Sequence, residues 1–254
     1  MDPTGHSPVC EDTGDPSCGP EMSVQEAWKA AGDTFGITFG GTWSAKETAD
    51  VMMAVNKVGN KFASARDFGE SSAEAWKAIF GNSFTFKRVG ANDCTSKKGK
   101  AAFACTGHNK ISVSQFYGAD IQNIRLMMHE IGHAFDLAVC SRAENCTWYN
   151  QKGGAAYDSL GGKLETCETT TVDGSSCLGR FSDGPISGPD QHWGFAGGWD
   201  SWQFGAYEKD QTWEVFADMF VGWVSDTWAP TDRGTNRSTF MNNTMSGYLK
   251  SWTP

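Results

Sequence analysis

No stretch of roughly 18 consecutive apolar residues occurs in the 254-residue chain, which excludes a membrane-spanning helix. Basic residues are scarce: 21 Lys and Arg stand against 30 Asp and Glu, for a formal net charge of -9. Phosphate backbones are bound by concentrated Lys and Arg, so nucleic acid is not an expected partner. The acidity is spread along the chain and implies little beyond solubility. No Cys-x-x-Cys pair is present, which weakens the case for cysteine as a zinc ligand. The opening MDPTGHSPVC has neither a basic start nor an apolar stretch, and is therefore not itself a signal peptide. The chain also lacks internal repeats.

What is present describes a globular protein with one substantial core: 39% hydrophobic and 20% charged residues. Eight cysteines fall as sequence neighbours, Cys10 with Cys18, Cys94 with Cys105, Cys140 with Cys146 and Cys167 with Cys177. An even count with short gaps suits four local disulfides, although sequence alone does not choose the pairing. Local bridges imply an oxidising compartment, so a secreted, extracellular location is expected.

Residues 1–22 are rich in Asp, Gly, Pro and Ser and bury too little to order themselves, except where a Cys10–Cys18 loop pins them. They are expected to form an arm ahead of a single domain over 23–254. From residue 43 to about 65 the spacing predicts a helix, with Ala49, Met52, Met53, Val55 and Val58 as its apolar stripe. Residues 74–80 continue as helix and stop at Gly81, after which SFTFKRV and KISVSQF (110–116) alternate as strands. Asp120 caps a long helix from Ile121 to about Val139, with Ile121, Ile124, Met128, Ile131 and Phe135 as its buried face. Residues from about 141 to 206 have no helical period and read as a long loop insertion, and such loops are usually functional. Helical periodicity returns at 212–225 and, weakly, at 237–252. A few strands followed by helices predicts an α+β fold with a small mixed sheet and a mainly helical C-terminal part.

The decisive segment is MMHEIGHAFD, residues 127–136. His129 and His133 are four apart, so on a helix both imidazoles lie on one face and reach one ion. Glu130 lies beside the pair, where its carboxylate can take a proton from water activated by that ion. Zinc (Zn2+) with three protein ligands keeps a fourth position open for such chemistry. The bland alternative is two partly buried histidines satisfied by backbone carbonyls.

A third ligand must come from elsewhere. Asp136 is near in sequence but lies roughly 10 Å of helix rise beyond His129, too far for a zinc bond of about 2 Å. His192, in the long loop, is possible. Glu214 is the stronger choice, because Asp218 follows it four residues on and on the same helix face. That pair supplies a ligand and a carboxylate able to orient a zinc histidine. A solvated helix face is the alternative reading of both.

HEIGHAFD followed by WEVFADMF resembles the gluzincin peptidases of the anthrax lethal factor-like and Pro-Pro endopeptidase group, over roughly residues 105–225. Members carry HExxH, then a glutamate ligand in an E-hydrophobic-F-A-acidic-hydrophobic-F helix, and a tyrosine seven residues before that glutamate. Tyr207 stands at that offset from Glu214. The resemblance therefore implies a zincin-like catalytic domain with an HExxH active-site helix. It implies zinc on His129, His133 and Glu214, Glu130 as general base, and Tyr207 as oxyanion stabiliser. The 80 residues between His133 and Glu214 depart from the smaller members of the group, and nothing here points to a preference for proline.

In zincins an edge strand just ahead of the HExxH helix pairs with extended substrate. KISVSQF is a candidate for that strand, with an interior position as its alternative. HWGFAGGWDSWQF (192–204) could wall a cleft or simply pin the loop through buried Trp. The expected protein is thus a monomeric, secreted zinc endopeptidase acting on peptide or protein substrates. The alternative is a secreted carbohydrate- or protein-binding module with a structural zinc site.

Overall fold

A computed structural model describes residues 24–94, 103–107, 109–116, 120–142, 212–228 and 232–250. In chain order these form α1 (Val24–Thr34), β1 (Ile37–Gly40), α2 (Ala45–Arg66), α3 (Ser72–Phe80), β2 (Phe84–Arg88), β3 (Ala104–Gly107), β4 (Lys110–Val113), α4 (Asp120–Arg142), α5 (Thr212–Ser225) and α6 (Asp232–Lys250). The architecture is α+β, mostly helical, around one mixed four-stranded sheet. Among the described residues no helix is long and apolar enough to cross a membrane. The arm at 1–22 and nearly all of the expected loop insertion at 141–206 lie outside the described residues.

Helices α2 and α3 begin where side chains satisfy their first free amides. Ser44 Oγ accepts from Glu47 N at 3.2 Å while Glu47 Oε2 accepts from Ser44 N at 2.9 Å. Ser71 and Glu74 repeat the arrangement at 3.3 and 2.8 Å. Hydrogen bonds from the Ser71 backbone N–H and hydroxyl hold the Glu74 carboxyl below the usual glutamate range. These boxes place both helix starts closer than periodicity does, since α3 opens at Ser72 rather than at 74.

The sheet order is β1-β2-β4-β3, with β1, β2 and β4 parallel and β3 antiparallel to β4. KISVSQF therefore holds an interior strand, correcting its candidacy for the edge: β4 is paired on both sides, and only residues 110–113 are extended. Among the described residues the two ends of the sheet are β1 and β3, and β3 lies beyond β4. One disulfide, Cys94–Cys105, ties β3 back to the segment after β2, with Cα atoms 5.6 Å apart. The other three expected pairings involve side chains outside the described residues.

The core gathers on α2 and α4. Phe62 of α2 packs against Phe135 of α4 (5.6 Å between ring centroids) and against Phe220 and Trp223 of α5 (6.0 and 6.3 Å). Val51, Ala54, Val55, Val58 and Phe62 make the buried stripe of α2 together with Met52. Met53, assigned to that stripe from sequence, is 43% exposed, and Ala49 is only half-buried. On α4 the buried face includes Ile124, Met128, Ile131 and Phe135 as expected, but Ile121 is 52% exposed. Ile121 lies in the first turn of α4.

Candidate metal centre

α4 carries the candidate residues and packs on α5, α2 and β3. Successive residues of a helix are turned by about 100°, so His129 and His133 share one face while Glu130 points to the side. His129 Nε2 and His133 Nε2 lie 3.1 Å apart, with the rings nearly perpendicular. Two ligands about 2.0–2.1 Å from one ion at a tetrahedral angle stand about 3.3–3.4 Å apart, so both nitrogens converge on a common point. The same 3.1 Å also fits a hydrogen bond from one ring to the other. The two arrangements of neutral rings differ in which nitrogen carries a ring proton, and metal binding requires both Nε2 atoms without one.

His129 is oriented from α5. Its Nδ1 stands 2.8 Å from Oδ1 of Asp218, and both residues are buried. An ionised carboxylate only accepts, so beside an ionised Asp218 the proton sits on Nδ1, and a neutral His129 ring then carries its lone pair on Nε2. This is the tautomer a zinc ligand needs, and the partner is the carboxylate expected from the Glu214/Asp218 spacing. Replacing Asp218 with Ala is expected to lower zinc affinity about 10- to 100-fold. Competition titration against a chelating dye measures this directly, and an unchanged affinity would remove Asp218 from the site.

The close approach of α4 and α5 makes that contact possible. A Cβ built on Gly132 would meet Ala217 Cα at 3.1 Å and Phe220 Cβ at 3.2 Å. Gly132 and Ala217 are thus the small residues at the crossing, one position from His133 and Asp218 respectively. Packing sets the geometry here. Phe135 lies against Phe216 and Phe220 (6.3 and 5.6 Å), and each buried Phe contributes about 1.5–3 kcal/mol. The hydrogen bond to Asp218 adds about 1.5–3 kcal/mol in all, so it is placed by the core rather than placing it.

Glu130 turns toward β3, where Thr106 donates its hydroxyl to Glu130 Oε2 and also lies 3.4 Å from the Glu130 backbone oxygen. Sequence reasoning missed both Thr106 and Gly132. Gly132 sits inside the HEIGH motif, where its lack of a side chain is a visible if weak signal. Thr106 carries no signal at all.

Of the other expected residues, Glu214 lies on α5 one turn before Asp218, but its side chain is outside the described residues. Tyr207 and His192 lie outside them entirely. Among the described residues no group of three or more His, Cys, Asp and Glu forms a metal site. Two imidazole nitrogens 3.1 Å apart, one ring fixed by a carboxylate, are donors of the kind zinc takes. Comparison with known protein families, with curated proteins and with solved structures returned no match.

Proposed function

We propose that the chain is a secreted, zinc-dependent endopeptidase of gluzincin type with a zincin-like catalytic domain. The observation that carries this is the convergence of His129 and His133 at 3.1 Å, with His129 held by buried Asp218 and Glu130 adjacent to His129 in the chain. A purely structural zinc site needs no carboxylate next to its ligands, whereas hydrolysis needs a base there. His129, His133 and Glu214 hold the ion. When bound, zinc polarises the scissile carbonyl and brings a water's pKa toward about 7.

The chain's own residues do the rest. Glu130 takes the proton of the attacking water and passes it to the leaving amine nitrogen. Tyr207 donates a hydrogen bond to the oxygen that becomes negative. Strand β3, antiparallel to β4 and at the end of the sheet order, accepts an extended peptide by backbone pairing, which tolerates many side chains. The Cys94–Cys105 bridge supports action outside the cell, where disulfides persist.

The test is incubation of zinc-loaded protein with a diverse peptide mixture, reading new termini by mass spectrometry beside chelator-stripped protein. Internal cuts are expected only with zinc, lost on stripping and restored when zinc is returned. No cuts with zinc confirmed bound would defeat the reading and favour a binding module.

A further inference from the structure

We infer that Thr106 is a positioning residue for Glu130: its hydroxyl, fixed on strand β3, aims the carboxylate that serves as base. This rests on the endopeptidase reading and extends it to a residue that no motif contains.

Three features make Thr106 suited to the task. First, β3 is tied down at this point. Thr106 is paired with Ile111 of β4, Cys105 beside it is bridged to Cys94, and Phe103 O accepts the backbone amides of Ser114 and Gln115 at 2.8 and 3.1 Å. A site is held best by groups whose supports do not move. Second, side chains alternate along a strand, so Cys105 turns to Cys94 while Ala104 and Thr106 turn to the opposite face, where Thr106 meets α4. Threonine is branched at Cβ and stiff about χ1, which gives its hydroxyl a defined direction.

Third, Glu130 needs such a partner. It is 7% exposed, and among the described residues Thr106 is the one hydrogen-bond partner of its carboxylate. Glutamate has three side-chain torsions, and a base works only when its oxygen sits within hydrogen-bond reach of the proton it takes. Thr106 occupies Oε2. Oε1 makes no hydrogen bond among the described residues and is left for the water. The proton balance of the reaction is unchanged: Thr106 keeps its own proton throughout and only orients the group that accepts and returns one. Because β3 is also the strand on which substrate would pair, the base and the peptide are referred to one element.

The experiment uses the full, zinc-loaded chain with Thr106→Val, which keeps the shape and removes the hydroxyl, and Thr106→Ser, which keeps the hydroxyl. On the peptide that wild type cuts fastest, Thr106→Val should lower kcat about 10- to 100-fold, with KM within about twofold and zinc content unchanged. Thr106→Ser should recover most of the loss. A Val variant with wild-type kcat, or a Ser variant as poor as Val, would overturn the assignment.

A second measurement needs no substrate. In metal-stripped protein, Thr106→Val and Glu130→Ala are combined and melting temperatures compared. If the contact exists, the second substitution shifts the melting temperature less in the presence of the first, and strict additivity would overturn it. A wild type that cuts no peptide sinks the endopeptidase reading, while the melting cycle still decides whether Thr106 holds Glu130.

Discussion

Replacing Glu130 with Gln is expected to cut turnover about 100- to 10,000-fold while leaving zinc bound and the fold intact. Gln has the same shape, and its amide oxygen can still accept the Thr106 hydroxyl, so the side chain keeps its place. What it loses is the ability to accept a proton. Because the replacement keeps the shape of this buried side chain, stability should stay close to wild type. The measurement is kcat on a peptide that wild type cuts, with metal content by elemental analysis and melting by calorimetry. A variant that keeps a tenth or more of wild-type turnover rules out Glu130 as the base. Loss of both zinc and activity would instead make Glu130 part of the metal-holding structure.

The second large effect is expected at Gly132. A valine there puts its Cβ 3.1 Å from Ala217 Cα and 3.2 Å from Phe220 Cβ, with two further methyls behind it. Those neighbours are backbone or the first carbon of a packed ring, so neither can swing aside. α4 and α5 must separate, at a cost of about 1–3 kcal/mol. Separation stretches the 2.8 Å contact between His129 and Asp218. Zinc affinity should fall by at least the 10- to 100-fold expected for losing Asp218 alone.

Gly59 supplies the control. Its Cβ would meet Ser72 O at 2.6 Å, where α2 passes the start of α3 and no candidate site residue is involved. Gly59→Ala should destabilise the fold yet leave the zinc affinity of folded protein unchanged. Equal loss of affinity in both variants would show that stability, and not the α4–α5 approach, governs the metal.

Much of the helical framework is visible along the chain. α2, α3, α4 and α5 follow from apolar spacing, and β2 from alternation, because each is a long or regular pattern. The two capping boxes were equally visible as Ser-x-x-Glu at 44–47 and 71–74, yet periodicity alone places the helix starts less well. α1, β1 and β3 are harder for physical reasons. In α1 the apolar positions Val24, Ala27, Trp28 and Ala31 recur at helical spacing, but over only 11 residues and mostly as small side chains. β1 and β3 are four residues each, and β3 reads Ala-Cys-Thr-Gly, a poor strand by composition. It is extended because β4 and the Cys94 bridge hold it there.

Of the site, the sequence by itself determined that His129, Glu130 and His133 stand on one helix, the two histidines on one face. It also determined that Glu214 and Asp218 share a face of another helix. Both are consequences of the 3.6-residue turn, which is local and survives any arrangement of the rest. Only the tertiary structure decided that Asp218 meets His129, that Gly132 lets α5 approach, and that β4 is interior while β3 carries Thr106 to Glu130. These depend on which element packs against which, and so on side-chain volumes and strand order between residues as far apart as 106 and 218. No local period encodes such choices, because burying the shared core is what selects among them.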